Sequence, residues 1–492
     1  MTRTLKNKIV YEQNINNIEG KAIAIVFPES VQEIKNIVKM SNHDIIARGS
    51  GTSLTGAVIP KNSIIIDFSR MNKIIEIDAA KKTAVVEPGV LLSELNEELE
   101  IYGLEFPIIP IFGAVETMGG MLAKNSSGNR EIKYNRMINW ADSLIVVDGK
   151  GEQVKVAKSD LSDFIGMEGT TGIIVQASIR LTGKKQRSIT ILRGNTLQEI
   201  FAVNRKLRLR QDICSLDLVN PNISSLLGLE NKYHLFVEFD SSEGNFKEES
   251  YENYLKLKGK IYKKVASEGY IYISNAKFLI DSLQDFLIHL EERKIPYLSY
   301  LASGSVFTFF KQEQLGLMNE SQRIAKKLRG RIAYNFGVGL TKKDALELGE
   351  SGLLKRVKNR HDPNWKLNQD KLINYILPKE QKPEIKEQEQ PKAEEQKPAE
   401  QKPILEETKK EEQPKPIEEI KKPEEKKPET VGDVLASAES ITLRRHEPPI
   451  SAEEREKIRK IAGGFFGGGA TAAKKPDIKK EEPQQTQGEK TQ

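Results

Sequence analysis

The sequence predicts an α+β protein, with a folded body over residues 1–378 and a disordered tail behind it. Short runs of Ile and Val alternate with amphipathic helical patterns as far as Tyr375, which indicates a mixed body. From Pro378 onward the chain is built mainly from Lys, Glu, Gln and Pro, and no Phe, Trp or Tyr occurs between Tyr375 and Phe465. Such a segment buries too little apolar surface to offset the entropy lost on ordering.

The overall composition excludes several classes of protein. The 492 residues carry a formal charge of +6 and one cysteine, Cys214, which rules out a disulfide framework within the chain and a Cys-rich metal site. No apolar run approaches the ~20 residues that span a bilayer, and no apolar segment follows the basic N-terminus, so we expect no membrane span and a cytoplasmic location. The mild positive charge suits a phosphate-bearing cofactor, and no nucleic-acid partner is expected.

The elements of the body are predicted in order from their patterns. A helix begins after Ser30, its expected N-cap, with Val31, Ile34 and Val38 on one face. Residues 91–102 predict a second helix that ends at Gly103, and residues 278–292 predict a later one. The predicted strands are residues 44–47, 63–67, 74–78, 83–87, 144–147 (half of a hairpin), 173–181 and 235–239.

The glycine-rich segment after the first predicted strand carries the strongest local signal. It consists of Arg48, Gly49, Ser50, Gly51, Thr52 and Ser53. Closely spaced glycines let successive backbone N–H groups face one concavity, and the hydroxyls add donors, which is what a diphosphate needs. The spacing fits neither a Rossmann nor a Walker motif. Taken alone, the segment could equally be a simple connection between strands.

Two further segments stand in the order expected of a known family. Thr117-Met-Gly119-Gly120 leads into Lys124-Asn125-Ser-Ser-Gly128, and Gly166-Met-Glu168-Gly169-Thr-Thr-Gly172-Ile173-Ile174 follows. With the first loop, this order resembles the FAD-binding domain of the vanillyl-alcohol oxidase and p-cresol methylhydroxylase (PCMH) superfamily. It is most similar to the branch that contains the D-lactate dehydrogenases and the D subunit of glycolate oxidase.

The resemblance implies an FAD held noncovalently, because Ser50 stands in the loop where covalently flavinylated relatives carry a histidine. It implies that residues 48–53 bind the pyrophosphate and that the two later segments line the rest of the cofactor. The cofactor residues implied there are Thr117, Gly119, Gly120, Asn125, Gly128, Glu168, Gly169, Gly172, Ile173 and Ile174.

The resemblance resumes near the end of the body. Asn335-Phe336-Gly337-Val-Gly339 is similar to a Glu-His-Gly-x-Gly signature, and residues 361–368 are similar to the closing Asp-Pro-Asn segment. The implied domains are a PCMH-type FAD-binding domain over 1–183, an α+β substrate cap over 184–330, a return segment over 331–378, a disordered linker over 379–429 and a tail over 430–492.

The histidines of the family's catalytic centre are missing from their expected places. Residues 301–308 stand where a His-x-Gly-Asp-Gly-Asn-x-His stretch is usual, and Asn335-Phe336 replaces Glu-His. A metal site of the family's kind is therefore not expected, and the catalytic residues remain unknown. Tyr134, Tyr334 and Lys342 are other acid–base candidates, but core packing explains Tyr334 and a solvated side chain explains Lys342 more simply.

Three functions remain open on this sequence. The first is an FAD-dependent oxidoreductase that oxidises a 2-hydroxy acid or similar alcohol by hydride transfer to flavin. The second is a non-catalytic FAD-binding subunit or scaffold, and the third is an adaptor that has lost FAD. The tail has two short helical patterns, 430–443 and 451–462. They are either isolated segments too short to be stable or docking motifs, in which case residues 430–466 would bind an iron–sulfur or other protein.

Overall fold

The computed structural model describes residues 8–14, 16–241, 248–332, 335–346 and 348–374. Within these ranges helices and strands are interspersed, which confirms the α+β class. The predicted linker 379–429 and the helical patterns at 430–443 and 451–462 lie outside the described residues. No helix in the described ranges is both long and apolar enough to cross a membrane.

The helices and strands are numbered in chain order. The strands are β1 Lys21–Val26, β2 Ile45–Arg48, β3 Lys61–Asp67, β4 Ile74–Asp78, β5 Thr83–Val86, β6 Leu104–Glu105, β7 Ala141–Asp148, β8 Gln153–Val156, β9 Gly172–Arg180, β10 Thr182–Gly183, β11 Ser188–Gly194, β12 Ile213–Val219, β13 Tyr233–Phe239, β14 Tyr272–Lys277, β15 Tyr297–Tyr300 and β16 Ser305–Phe310. The helices are α1 Ile9–Glu12, α2 Val31–Met40, α3 Leu92–Glu100, α4 Met118–Lys124, α5 Glu131–Tyr134, α6 Leu197–Leu207, α7 Pro221–Leu226, α8 Glu248–Ser267, α9 Ile280–Glu292, α10 Leu315–Lys327 and α11 Leu348–His361.

These bounds confirm the predicted elements to within a few residues. The Ser30 hydroxyl accepts a hydrogen bond from the backbone N–H of Glu33, so Ser30 caps α2 as predicted. The helix predicted over 91–102 ends earlier, at Glu100, and the chain then turns at Gly103 with φ of 63°. The left-handed φ that Gly103 adopts is one that glycine tolerates without steric cost.

The first half of the body is built on two sheets. A parallel sheet has the order β1-β3-β2, and an antiparallel sheet has the order β4-β5-β9-β7-β8. Helices α3 and α4 pack their Leu and Met side chains on one face of the antiparallel sheet. On the other face, apolar residues of β7 and β9 share a core with α2 and the parallel sheet. Three loops at the ends of β2, α4 and β9 are thereby brought together.

The second half is built on one antiparallel sheet with the order β11-β13-β12-β15-β16-β14. Helices α6, α9 and α10 cover one face of this sheet. Helices α7 and α8 contribute to a second core on the other face, which also includes Leu54 and Phe336. The second sheet therefore meets the first half through apolar contacts near the glycine-rich loop.

Buried ion pairs join the second sheet to α5. Arg130 lies 2.7 Å from Glu238, and both side chains are buried. Lys133 lies 2.7 Å from Asp240, whose pKa is about 2, below its ordinary value. Burial works against this low pKa, but hydrogen bonds from Cys214, Lys133 and Tyr134 outweigh it.

The return segment completes the parallel sheet. The backbone N–H of Ile45 donates to the carbonyl of Lys366, and the N–H of Asn368 donates to the carbonyl of Ile45. The Asp362 carboxylate accepts the backbone N–H groups of Lys366 and Leu367, so the Asp362 side chain stabilises a turn in this segment.

Candidate functional site

One cleft gathers nearly all of the predicted cofactor residues. Its empty space, open mouth included, is about 850 Å³. The lining comes from the loop after β2, the first turn of α4 with the residue at its end, and the approach to β9. The predicted residues that line it are Arg48, Gly49, Ser50, Gly51, Thr52, Ser53, Thr117, Gly119, Gly120, Glu168, Gly169, Gly172 and Ile174.

Glycines allow the three segments to approach one another closely. A Cβ on Gly49 would lie 2.1 Å from the Thr117 hydroxyl, and a Cβ on Gly119 would lie 2.5 Å from Pro88. Neither distance is compatible with a side chain, so these positions require glycine for packing. Gly120 is exposed on the cleft side of α4, where it leaves backbone open to a ligand.

Arg48 lines the cleft, but its guanidinium interacts with residues of α1 and β3. It donates to the Val10 carbonyl at 2.7 Å, lies 4.3 Å from the Tyr11 ring centre and is 3.7 Å from Asp67. Burial lowers the pKa of Arg48, and the Asp67 charge opposes that change. A Cβ on Gly51 would lie 2.2 Å from the guanidinium. Arg48 therefore supports the loop from below through its side chain.

Glu168 joins the cleft to the return segment. Its carboxylate accepts the backbone N–H groups of Val338 at 2.6 Å and Gly339 at 2.8 Å. Burial raises the pKa of Glu168, while these two donors and the charges of Lys124 and Lys342 oppose the rise. A Cβ on Gly337 would lie 2.4 Å from the same carboxylate, which explains the first glycine of the Gly-x-Gly pattern in this segment.

Three predicted cofactor residues do not line the cleft. Asn125 ends α4 with φ of 51°, and its side-chain oxygen accepts the backbone N–H of Ile138. Gly128 packs against backbone, since a Cβ there would lie 2.1 Å from the Ile109 carbonyl. Ile173 is buried in the core between the two sheets. All three support the walls of the cleft from outside it.

Sequence reasoning missed several residues that the cleft contains. Two of these are charged, Glu116 and Lys124, and they flank the Thr117-Met-Gly-Gly motif. Their spacing of eight residues was a usable signal, but the glycines between them were the more obvious feature of the segment. Phe336 belongs to the motif that replaces Glu-His. The apolar residues missed are Ala47, Ala57, Val58, Phe68, Pro88, Ala123 and Phe336.

Two of the three acid–base candidates, Tyr134 and Lys342, lie away from the cleft lining. The prediction that Lys342 is solvated is wrong: its side chain is buried, its ammonium donates to the Ile332 carbonyl at 2.6 Å, and burial lowers its pKa to about 8. Tyr134 donates to Asp240 at 2.8 Å, beside the ion pairs of α5. Tyr334 lies outside the described residues.

The histidines described below pair with other side chains of the body and do not reproduce the family's catalytic pattern. Residues 301–308 form a tight turn and the start of β16. His234 is buried and pairs with the Ser224 hydroxyl at 2.9 Å, and His361 lies 2.8 Å from Asp163. In the described part of the chain, no group of three or more His, Cys, Asp or Glu side chains is arranged to hold a metal ion.

Comparison with known proteins identifies the cofactor domain. Residues 22–157 match the model of a family described as FAD binding domain. These residues form an FAD binding domain. It contains the glycine-rich loop and the α4 segment that form two sides of the cleft.

The similar proteins extend beyond this domain. A D-2-hydroxyglutarate dehydrogenase from Stutzerimonas stutzeri is 24% identical over 421 residues, which is 71% of this chain and 90% of that protein. The glycolate oxidase subunit GlcD of Bacillus subtilis is 35% identical over 182 residues, 34% of this chain and 39% of that protein. A mitochondrial D-lactate dehydrogenase [cytochrome] of Arabidopsis thaliana is 37% identical over 178 residues, 34% of this chain and 31% of that protein.

A solved structure shows the same fold. An alkyldihydroxyacetonephosphate synthase superposes with a TM-score of 0.54 at 18% identity, covering 71% of this chain and 76% of that chain. The FAD-binding fold inferred from the motifs is thereby confirmed.

The cleft of the FAD binding domain fits FAD. Glycines let its loops approach one another closely, and the exposed Gly120 leaves room for a planar or extended group against the helix. Residues 48–53 would hold the diphosphate through backbone N–H and hydroxyl groups, as the sequence predicts.

Proposed function

We propose that this chain is an FAD-dependent oxidoreductase that oxidises a 2-hydroxy acid or a similar alcohol. The observation that carries the proposal is the similarity to a D-2-hydroxyglutarate dehydrogenase over 90% of that protein's length, joined to a cleft that fits FAD. The bound flavin supplies the hydride acceptor. The similarity to glycolate oxidase subunit GlcD and to a D-lactate dehydrogenase supports the same class of substrate.

The protein's own contribution begins with positioning. The loop 48–53 and the first turn of α4 would fix the cofactor, and the Glu168 carboxylate holds residues 337–339 against the same cleft. This attachment places Phe336 in the cleft lining. The substrate would therefore approach beside the segment 335–336, in which this chain departs from the family's Glu-His pattern.

The polar groups beside Phe336 form a short chain of hydrogen bonds. The Ser127 hydroxyl lies 3.1 Å from the Asn335 side-chain oxygen, and the Asn335 backbone N–H donates to Asn275 at 3.0 Å. Ser126 is buried next to them, and its hydroxyl has no hydrogen-bond partner among the described residues. We propose that Asn335, which is half-buried and adjacent to Phe336 in the chain, orients the substrate's hydroxyl or carboxylate in place of the missing imidazoles.

A second candidate function is a non-catalytic FAD-binding subunit, and the aromatic wall at Phe336 favours it. The Phe336 ring lies 6.2 Å from Phe112 and 5.6 Å from Phe307, between ring centres, and all three belong to one apolar core. An apolar wall would disfavour a small anionic acid at this place, because burying an unpaired carboxylate is costly. In that case an iron–sulfur or other protein would dock on residues 430–466 and carry the electrons.

Anaerobic stopped-flow absorbance separates the two functions. We expect purified protein to be yellow and to release its flavin on heating or acidification, because the linkage is noncovalent. Mixing with D-lactate, glycolate or D-2-hydroxyglutarate should bleach the flavin if the chain is an oxidoreductase of this class. If none of these acids reduces a flavin that dithionite still reduces, the non-catalytic function is supported instead.

The partner is tested on its own. Full-length protein and a variant truncated after Pro378 are used as baits in the native cell extract. An iron–sulfur protein recovered only with the full-length chain would support docking by residues 430–466, and identical recovery with both baits would contradict it.

A further inference from the structure

A buried ion pair runs along the cleft side of α4. The Lys124 ammonium donates to Oε1 of Glu116 at 2.9 Å, and the Glu116 and Lys124 side chains are 2% and 16% exposed. Glu116 precedes the N-cap of α4 and Lys124 is its last residue, so the pair extends along a helix of about 10 Å. Gly120 and Ala123, both cleft-lining, lie between them.

The second carboxylate oxygen of Glu116, Oε2, has no hydrogen-bond partner in the described part of the chain. Oε2 is buried and no donor among the described residues reaches it. A buried carboxylate oxygen left unpaired costs several kcal/mol, so native structures seldom leave one without a partner. Because Glu116 lines the cleft, a hydrogen-bond donor can reach it from the side where FAD would lie.

Chemistry restricts what that partner can be. A carboxylate accepts hydrogen bonds and repels the phosphates of FAD, so it faces a donor: a hydroxyl of the ribityl or ribose groups, the adenine amine or the flavin N–H. Lys124 neutralises the carboxylate through Oε1 and keeps the pair compatible with an anionic cofactor. The two small residues between Glu116 and Lys124 leave room for the cofactor against the helix.

We propose that Glu116 is a cofactor-contacting residue, with Oε2 accepting a hydrogen bond from a hydroxyl or N–H group of FAD, and that Lys124 is its positioning residue. This inference rests on FAD binding alone. It stands whether or not the chain oxidises a 2-hydroxy acid.

The test is an FAD titration of flavin-free, full-length protein, followed by fluorescence quenching. Glu116→Gln replaces the accepting charged oxygen, and we expect the dissociation constant for FAD to rise about 10- to 100-fold. Glu131→Gln is the matched control, since Glu131 is also buried and ion-paired, with Lys277, outside the cleft. An FAD affinity of Glu116→Gln equal to that of Glu131→Gln would overturn the proposal.

A double variant separates contact from indirect support. Replacing both Glu116 and Lys124 by Met removes the ion pair without leaving either charge unpaired, a change that buried pairs often tolerate. If the two side chains only pair with each other and neither contacts FAD, the double variant binds FAD as tightly as wild type, which would refute a contact. If Oε2 accepts from FAD, affinity stays reduced. Should Glu116→Gln fail to fold, Glu116→Asp gives the same test, because its shorter side chain cannot reach both partners.

Discussion

Gly51→Ala offers a direct test of the loop that would hold the diphosphate. Gly51 has φ of 73°, a left-handed conformation that costs a residue with a Cβ about 1–2 kcal/mol. The added Cβ would also lie 2.2 Å from the Arg48 guanidinium, which must then leave its place. Leaving breaks the charged hydrogen bond to the Val10 carbonyl, worth about 1.5–3 kcal/mol, and the stacking on Tyr11.

Together these losses amount to about 3–6 kcal/mol, which would lower the equilibrium constant for forming the native loop by more than 100-fold. We expect the FAD dissociation constant of Gly51→Ala, measured by fluorescence titration, to rise by at least that factor. Gly51→Val adds a β-branch to the same clash and should abolish uptake.

Gly316→Ala is the matched control for the loop. Gly316 lies in α10, and a Cβ there meets no atom within 4 Å. This variant should keep wild-type FAD affinity and gain about 0.5–1 kcal/mol of stability. FAD binding by Gly51→Ala within threefold of wild type would refute the reasoning about the loop.

Three other predictions concern the buried lysines, the return segment and the tail. Burial lowers the pKa of Lys342 and Lys371 to about 8, against 10.5 for an ordinary lysine, so the unfolded chain binds more protons between these values. The free energy of unfolding should therefore increase as pH rises from 8 to 10, by roughly 3 kcal/mol per lysine at most. In urea titrations, Lys371→Met should show a smaller increase over the same pH range. Gly337→Ala, at φ of 76° and with its Cβ 2.4 Å from Glu168, should lower stability by about 2–4 kcal/mol, and an unchanged urea midpoint would contradict this. Truncation after Pro378 should leave flavin content and melting temperature unchanged, since the described residues that line the cleft all lie between 47 and 336. Loss of flavin would show a role for the tail.

Much of the fold could be predicted from the sequence, because its signals are local. Ser30 predicts the start of α2 because its own side chain caps the helix, and the Ile-rich runs predict β3 and β4. The glycines of the cleft could likewise be recognised in the sequence, because only glycine is tolerated where the backbone passes very close to other groups. The domain bounds and the site residues remain predictions.

The remaining features depend on contacts between distant parts of the chain. The sequence suggested Arg48 as a ligand for phosphate, but its side chain hydrogen-bonds to the Val10 carbonyl and stacks on Tyr11, both in α1. Lys342 looked solvated because no local pattern shows that it is buried. Glu116 and Lys124 face the cleft only because α4 is oriented by its packing on the antiparallel sheet. The periodic pattern of apolar residues in the sequence cannot predict where these side chains lie.

The connection between Glu168 and residues 337–339 has a consequence for biosynthesis. The amide of Asn368 adds two more bonds, to the carbonyls of Ala57 and Glu168, so the cleft is tied to residues made about 200 to 310 positions later. The ribosome delivers the glycine-rich loop long before these partners emerge. We therefore expect nascent chains shorter than about 370 residues to retain no flavin, and the cofactor to be loaded only after the folded body has been released.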